Sequence, residues 1–274
     1  MRMQAALAAP APETSHRPDA VEAAAVIRVR DLRKRYGAVQ AVDGISFEVR
    51  PGEVFGMLGP NGAGKTTTVE IMEGLRVPDS GEVVVAGINV ARDPERVKRA
   101  IGVQLQSNAF FTNLKLTELL KLFADIYDAD PQPRRLLERV DLQDKADSYF
   151  STLSGGQKQR FSIAVALVHQ PGIIFLDEPS TGLDPQARRH MWDLIKSLKA
   201  DGTTVVLTTH YMEEAEELCD RVAIVDRGRI VAIDSPDALV DALLNTGFRN
   251  KRPAREADLE DVFIHLTGHA LREE

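Results

Sequence analysis

The sequence lacks three features that would mark whole classes of protein. Its 274 residues include a single cysteine, Cys219, so no disulfide can form within the chain and a reducing compartment fits. Its most extended apolar run, residues 161–168, is interrupted by Ser162 and is far shorter than the roughly 20 residues that span a bilayer. The sequence shows neither an internal repeat nor a run of coiled-coil heptads. We therefore expect a globular chain that does not cross a membrane by itself.

The sequence also has fewer basic residues than acidic ones, 34 Lys and Arg against 41 Asp and Glu. The formal net charge is −7, whereas a domain whose main partner is nucleic acid usually presents a basic face. We therefore expect no nucleic acid partner. The apolar fraction of 43% is enough for a real core, and the charged fraction of 27% is ordinary for a globular protein.

The beginning of the chain differs in composition from the rest. Residues 1–25 are rich in Ala and Pro. Their apolar patch of about five residues is shorter than the core of about 7–15 residues that a secretory signal needs. We expect these residues to form a disordered leader, and a wrongly assigned start codon is the alternative explanation.

From residue 26 onward, short runs of β-branched residues alternate with helical patterns. Strands are predicted at the runs IRVRDL, ISFEVR, EVFGML, EVVVAG, IGVQLQ, IIFL, TTVVLTT, RVAIVD and RIVAID. Helices are predicted over residues 65–74, 94–100, 116–127, 185–200 and 213–220, with another that starts at Ser235-Pro236. Such alternation implies a parallel sheet with helices on its faces.

Some segments carry expectations of their own. A tight turn at Pro51-Gly52 should join the second and third strands. Residues 107–170 lack strand signals and should be mostly helical, and residues 241–274 should form a short C-terminal helical tail. The acidic run EEAEEL, residues 213–218, should be a solvated helix face.

The stretch GPNGAGKT matches the pattern G-x-x-x-x-G-K-[ST] between a predicted strand and a predicted helix. Its glycines let backbone N–H groups curl around a phosphate, and the helix dipole favours the negative charge. Lys65 can reach the β- and γ-phosphates, and the Thr66 hydroxyl can ligate Mg²⁺. A glycine-rich turn with a solvent-exposed lysine is the alternative, but it leaves the strand–loop–helix context unexplained. The predicted nucleotide-binding residues are Gly59, Pro60, Asn61, Gly62, Ala63, Gly64, Lys65, Thr66 and Thr67.

The run IIFLDE is an apolar strand that ends in two acids. Ionised acids are costly to desolvate, and ligands bind beyond the carboxyl ends of parallel strands. We predict that Asp177 holds Mg²⁺, directly or through water, and that Glu178 polarises the attacking water. The two acids could instead cap the turn before Pro179, but the phosphate loop upstream favours the catalytic interpretation.

A second candidate anion site is LSGGQKQR, residues 153–160, a Ser-Gly-Gly turn that opens a helix. This stretch resembles the signature motif of ATP-binding-cassette ATPases. The phosphate loop, IIFLDEP, STGLD and the Thr-Thr-His of residues 208–210 match the same family in the same order, and the resemblance covers about residues 27–235.

The resemblance implies roles for several further residues. Tyr36 resembles the aromatic residue that stacks on adenine, although it could be an ordinary tyrosine at a strand edge. Gln106 resembles the glutamine that contacts Mg²⁺ and senses the membrane partner, with Gln104 as its rival. His210 resembles the switch histidine that contacts the γ-phosphate and acts with Glu178 and Lys65 in catalysis. Asp184 resembles the acid of the loop that crosses between subunits, and it could also cap the next helix.

The family's fold is α/β: a P-loop NTPase (RecA-like) core with an antiparallel β subdomain and an inserted α-helical subdomain. Here that domain should span residues 26–240, with the helical subdomain at about 107–170. The family's ATPases work as head-to-tail pairs, so the second copy, or a homologous subunit, should cap ATP on the phosphate loop. The capping residues implied are Ser154, Gly155, Gly156 and Gln157.

The resemblance also implies a membrane partner. A cassette without a spanning segment can drive transport only through a separate integral membrane permease, which would hold it at the inner face of the cell membrane. The phrases GPNGAGKTTTVEIMEGLRVPDSGEV and LEDVFIHLTG resemble ATPase subunits of bacterial exporters of drugs, lipids or polysaccharides. The alternatives are an importer ATPase and a soluble cassette that acts on DNA or ribosomes. Soluble cassettes of that kind carry coiled coils, inserted modules or a second cassette.

Overall fold

A computed structural model describes residues 25–104, 110–130, 132–248 and 259–267. Its strands are β1 (Ile27–Tyr36), β2 (Val39–Val49), β3 (Val54–Leu58), β4 (Ser80–Val85), β5 (Ile88–Asn89), β6 (Ile101–Gln104), β7 (Ile173–Asp177), β8 (Thr204–Thr209), β9 (Arg221–Asp226) and β10 (Arg229–Asp234). Its helices are α1 (Lys65–Met72), α2 (Pro94–Ala100), α3 (Leu116–Ile126), α4 (Pro133–Arg139), α5 (Gly155–Ala166), α6 (Pro185–Ala200), α7 (Met212–Leu218), α8 (Pro236–Asn245) and α9 (Leu259–Thr267).

The strands form two sheets. An antiparallel sheet has the order β2-β1-β4-β5, and a larger sheet has the order β10-β9-β3-β8-β7-β6. In the larger sheet β9, β3, β8, β7 and β6 run parallel, so their carboxyl ends lie along one edge. That edge is where open α/β sheets bind their ligands.

The larger sheet is covered on both faces, as parallel sheets are. The residues of β3 divide between two hydrophobic clusters: Val54 and Leu58 belong to the one that includes residues of α3, α5 and α6, whereas Phe55 and Met57 belong to the one that includes residues of α1 and the antiparallel sheet. All five residues of β3 and all five of β7 are buried. A rigid sheet therefore holds the loops at its carboxyl edge.

The predicted strands are present, and their pairing adds two features that the sequence predictions did not include. The turn at Pro51-Gly52 does join two strands, but β2 pairs with β1 in the antiparallel sheet while β3 pairs with β8 and β9 in the other. The chain thus changes sheet at this turn. The predicted parallel sheet is confirmed for β9, β3, β8, β7 and β6, whereas β10 is antiparallel to β9. Only Arg227 and Gly228 separate these strands, and a two-residue connection can make only an antiparallel pair.

The helical expectations are confirmed in the described residues. The predicted helix at 94–100 has the bounds of α2, and the one at 185–200 has those of α6. Between β6 and β7 the described chain forms α3, α4, α5 and two short 3-10 turns. Among the helices that the structure describes, none has the length and apolar character needed to span a bilayer. The expected leader, apart from Ala25, lies outside the described residues.

Candidate nucleotide site

The phosphate loop joins the end of β3 to the start of α1. Lys65 is buried, with 4% of its surface exposed, and its Nζ donates hydrogen bonds to the carbonyls of Gly59 (2.7 Å) and Pro60 (3.0 Å). Burial lowers the pKa of Lys65, while the charges of Glu178 and Asp177 oppose that shift. The ammonium is thus folded onto the loop that a phosphate would occupy, close enough to two acids to be influenced by both.

The outer part of the loop is open to solvent. Asn61, Gly62 and Thr66 are exposed, and Thr67 is half-buried at the start of α1. The inner part is anchored: Ala63 is buried, and its carbonyl accepts a hydrogen bond from Gly228 N at 2.8 Å. The loop therefore presents its outer backbone and a threonine hydroxyl at the carboxyl edge of the sheet.

Two glycines of the loop are required by close packing. A Cβ at Gly59 would lie 2.2 Å from the carbonyl oxygen of Val225. Gly64 has a φ of +103°, and a Cβ there would lie 2.3 Å from the carbonyl oxygen of Ala41. Any side chain at either position would displace backbone.

The two acids at the end of β7 are both buried. Asp177 accepts a short hydrogen bond from Thr208 Oγ1, and the same hydroxyl accepts one from Glu178 N at 3.1 Å. Burial raises the pKa of Asp177, and the Thr208 hydrogen bond opposes that rise. Glu178 has a φ of +50°, a conformation that non-glycine residues rarely adopt and that clusters at functional sites.

His210 follows β8, the strand between β3 and β7. Its Nδ1 lies 3.3 Å from Glu178 Oε1, and Thr181 Oγ1 donates to the other carboxylate oxygen, Glu178 Oε2, at 3.2 Å. The structure therefore brings together Lys65, Asp177, Glu178 and His210, each just beyond or at the end of one of three adjacent parallel strands.

The Ser-Gly-Gly turn lies elsewhere, at the start of α5. Ser154 is the N-cap: its Oγ accepts from Gln157 N at 3.3 Å, and the Gln157 side chain accepts from Ser154 N at 3.0 Å. Ser154 and Gly155 are exposed, whereas a Cβ at Gly156 would lie 3.0 Å from the Ala187 Cβ of α6. The capping hydrogen bonds of α5 are thus formed, and the N-terminus of this helix is exposed to solvent beside α6.

Asp184 opens α6 next to this turn. Its Oδ1 accepts hydrogen bonds from Gln186 N at 3.0 Å and Ala187 N at 2.9 Å, so the predicted cap is confirmed. The aspartate is exposed, and it sits in the same surface region as the start of α5. Its second predicted role, in a loop between subunits, stays a prediction.

Tyr36 ends β1 in the antiparallel sheet, with 41% of its surface exposed. Lys34 Nζ and the Arg76 guanidinium each lie 5.5 Å from the centre of its ring. The neighbouring strand β2 is tied to the phosphate loop region by a hydrogen bond of 2.7 Å from Asp43 N to Gly228 O. An exposed aromatic ring is thus available on the sheet that packs beside the loop.

Of the two candidate glutamines, Gln106 lies outside the described residues. Gln104 is the last residue of β6 and is 1% exposed. Its side chain is therefore part of the packed interior.

The residues present fit a magnesium ion that is bound largely by a nucleotide. Within the described ranges, no group of three or more His, Cys, Asp and Glu side chains could hold a metal ion alone. Mg²⁺ usually takes one or two protein oxygens together with phosphates and waters. The exposed Thr66 hydroxyl and the carboxylate of Asp177 are a donor set of that kind.

Sequence reasoning missed two residues that organise this site. Thr208 joins Asp177 to the backbone of Glu178, but its motif drew attention only to the histidine. Glu214, in the run expected to be solvated, is fully buried. That expectation was wrong because α7 packs one face onto the sheet, and Glu214 lies on that face with Ala215 and Leu218. Glu213 and Glu217 are exposed as expected.

Comparisons with known proteins identify the family and the fold of this chain. The family model for ABC transporters matches residues 42–181. Nod factor export ATP-binding protein I of Burkholderia orbicola is 43% identical over 223 residues, which cover 80% of this chain and 73% of that protein. A solved ATP-binding subunit of an ABC transporter has a TM-score of 0.76 and 29% identity, and the match covers 88% of this chain and 99% of the other.

A second solved structure is a dimeric ATP-binding cassette in a post-hydrolysis state, bound to ADP and Pi. Its TM-score is 0.69 and its identity 26%, over 76% of this chain and 98% of the other. These matches confirm the predicted fold, a P-loop NTPase core with an antiparallel β subdomain and a helical insert.

Proposed function

This chain belongs to the ABC transporter family, and we propose that it is the ATP-hydrolysing subunit of an exporter that works with a separate membrane-spanning permease. Members of the family bind and hydrolyse ATP, so the chain is an ATPase. The observation that carries the proposal is the convergence of Lys65, Asp177, Glu178 and His210 at one edge of the sheet.

ATP binds first to the phosphate loop. Lys65 leaves the carbonyls of Gly59 and Pro60 and reaches the β- and γ-phosphates, while the loop amides and the N-terminus of α1 hold the remaining oxygens. The exposed ring of Tyr36 stacks on the adenine. The buried base of the loop keeps this cradle fixed, so little ordering is needed on binding.

Thr66 and Asp177 would hold Mg²⁺, with Gln106 as a further ligand. When bound, the ion offsets negative charge on the phosphates during transfer. The Thr208 hydroxyl orients the Asp177 carboxylate toward that position, because it bonds one of its two oxygens.

Hydrolysis needs a group that orients and polarises water. The Glu178 carboxylate does this, and it is held on both oxygens, by His210 on one and by Thr181 on the other. His210 contacts the γ-phosphate with its remaining ring nitrogen and so links the phosphate to the base. Lys65 offsets the charge that develops as the bond to the leaving phosphate breaks.

The site is completed by a second copy, or a homologous subunit, in head-to-tail orientation. Its Ser154, Gly155 and Gly156 supply a hydroxyl, backbone amides and a helix N-terminus to the γ-phosphate, with Gln157 beside them. Support comes from the exposure of Ser154 and Gly155 and from the dimeric relative bound to ADP and Pi. Asp184 lies beside this turn and would reach across the same interface.

Export, rather than import, is supported by the relative from Burkholderia orbicola, which is named as a Nod factor export ATP-binding protein. The membrane partner would place the chain at the inner face of the cell membrane. A direct test is affinity purification of the tagged full chain from detergent-solubilised membranes. The proposal predicts recovery of a protein with several membrane spans, whereas recovery of only soluble proteins or nucleic acid would contradict it.

Direction can be tested in the native cell. A strain that carries Glu178→Gln should accumulate the transported compound inside the cell and deplete it from the medium, as comparative mass spectrometry would show. A strain that carries His190→Ala, a change at an exposed position of α6, is the control and should match the parent. Intracellular depletion in the Glu178→Gln strain would indicate import.

A further inference from the structure

A carboxylate outside the reacting groups ties three elements of the site together. Glu214 of α7 is 0% exposed, and its Oε1 accepts a short hydrogen bond from Ser180 Oγ and one of 3.2 Å from Trp192 Nε1. Ser180 belongs to the loop that leaves β7, and Trp192 belongs to α6. One oxygen atom therefore joins α7 to both segments that follow Glu178 along the chain.

Stability alone is a poor reason for this arrangement. A buried carboxylate is costly to desolvate, and a packed apolar residue of similar size is often as stable. Burial raises the pKa of Glu214, and the hydrogen bond from Ser180 is the largest influence in the other direction. Arg188 of α6 also favours the ionised form, and its guanidinium lies 4.9 Å from the centre of the Tyr211 ring. Glu214 and Ser180 are thus fully buried, and the half-buried side chains of Trp192, Arg188 and Tyr211 surround them.

The side chains around Glu214 lie next to Glu178 and His210, the two residues proposed to act on water and phosphate. Ser180 is two residues beyond Glu178, and Thr181, the next residue, bonds the Glu178 carboxylate at 3.2 Å. Tyr211 follows His210, and the two rings lie 4.2 Å apart. Glu214 thus holds the loop that follows Glu178. Its neighbour Arg188 packs on Tyr211, the residue that follows His210.

We propose that Glu214 is a positioning residue for ATP hydrolysis. Its carboxylate fixes the loop at residues 178–184 against α6 and α7. This keeps the Glu178 carboxylate and the His210 imidazole within hydrogen-bond distance of each other. The inference rests on the proposed catalytic role of Glu178. It adds a group that touches neither ATP nor water and acts through Ser180.

The test uses three variants of the purified full chain. Glu214→Leu keeps the size of the side chain but removes the hydrogen bonds accepted from Ser180 and Trp192. Ser180→Ala removes one donor, and Glu214→Gln keeps an acceptor oxygen. Glu217→Gln is the matched control, because Glu217 lies on the same helix but pairs at the surface with Lys196. Trp192 is the only tryptophan in the chain, so intrinsic fluorescence reports directly on the Glu214 hydrogen bond.

The expected result is a loss of kcat without a matching change in KM. Glu214→Leu should lower kcat by about tenfold or more, because the Glu178 carboxylate that orients water loses its fixed position. KM should stay within about threefold of the parent's value, because the groups that bind ATP are unchanged. Ser180→Ala should lower kcat by about threefold or more, and Glu214→Gln should recover most of the parent's rate. Trp192 emission should move to shorter wavelength in Glu214→Leu, where the indole loses its acceptor.

A folded Glu214→Leu whose kcat is within about twofold of the parent would overturn the proposal. If that variant does not fold, an unchanged kcat in Ser180→Ala would overturn it instead. Glu178→Gln, measured in parallel, distinguishes a failure of the positioning role of Glu214 from a failure of the proposed role of Glu178. Parental turnover in Glu178→Gln contradicts the role of Glu178 itself, whereas low turnover there with normal turnover in Glu214→Leu contradicts only the positioning role.

Discussion

The imidazole Nδ1 of His210 lies 3.3 Å from Oε1 of Glu178, although 32 positions separate the two residues in the sequence. They meet because β7 and β8 are neighbours in the parallel sheet and both end at the same edge. The side chain of Glu178 is 9% exposed and that of His210 is 23% exposed, so the pair is shielded but retains some access to solvent. A histidine in this position can hold the carboxylate with one nitrogen and a phosphate oxygen with the other.

His210→Ala should therefore lower the rate of ATP hydrolysis by about a hundredfold, since Glu178 loses its support and the γ-phosphate loses a contact. ATP affinity should change little, because Lys65 and the loop amides remain. Steady-state phosphate release and equilibrium binding of a non-hydrolysable analogue measure the two quantities. His190→Ala, on the exposed side of α6, is the control for loss of a histidine. Equal rates in the two variants would remove His210 from the mechanism.

Ser154 is the N-cap of α5, and a pair of variants can separate this role from its proposed contact with the γ-phosphate. Ser154→Ala removes the N-cap of α5 and should cost about 1 kcal/mol in the free energy of unfolding, whereas Ser154→Asp keeps a capping oxygen and should cost much less. An aspartate would nevertheless repel the γ-phosphate, so Ser154→Asp should abolish ATP-dependent dimerisation. Urea denaturation and light scattering give the two readouts. Normal dimerisation of Ser154→Asp would show that this turn does not face phosphate.

Gly62 and Gly64 form a natural comparison within the phosphate loop. Both have positive φ, +78° and +103°, but a Cβ at Gly62 meets no atom within 4 Å while one at Gly64 lies 2.3 Å from the Ala41 carbonyl oxygen. Gly62→Ala should cost about 1–2 kcal/mol from its backbone conformation alone. Gly64→Ala should cost clearly more, because β2 must move away from the loop. Similar unfolding free energies for the two variants would contradict the packing described for Gly64.

Glu73 makes stability depend on pH. This carboxyl, at the end of α1, is 2% exposed, and burial, with smaller contributions from the Asp177 and Glu70 charges, raises its pKa from 4.5 to about 8. The folded protein then binds the proton more tightly than the unfolded chain does. Stability from this group is therefore present below pH 4.5 and is lost as pH rises toward 8.

Glu73→Gln should abolish that loss. The variant and the parent should have similar unfolding free energies near pH 5, and the variant should be more stable near pH 8. The difference should exceed about 1.4 kcal/mol, the value of one pKa unit. Glu138→Gln, at an exposed position of α4, should show no such change between the two pH values. A constant difference between Glu73→Gln and the parent would contradict a neutral buried Glu73.

Short sequence motifs predicted several of the structural elements around the site. The bounds of α2 could be stated beforehand because Asp93 caps it, with Oδ1 accepting from Arg96 N at 3.1 Å, and Pro94 opens it. The phosphate loop could be placed because its glycines and Lys65 stand between a buried strand and a helix. In each case residues adjacent in sequence carry the structural cause.

What could not be predicted depends on residues distant in sequence. Glu214 in EEAEEL has the composition of a solvated face, and its burial follows from Ser180 and Trp192, which lie 34 and 22 positions away. The link from Glu178 to His210 has the same origin. The change of sheet after β2 depends on which strands β3 pairs with, and no local turn signal carries that information.

In the proposed function, ATP is held between two copies of the chain, on the Lys65 loop of one and the Ser154 turn of the other. The most direct test is the molar mass of Glu178→Gln by light scattering with and without ATP, since this variant should bind ATP without hydrolysing it. We expect the mass to double when ATP is added and Glu178→Gln combined with Lys65→Ala to stay monomeric. A Glu178→Gln chain that remains a monomer at saturating ATP would contradict the shared site.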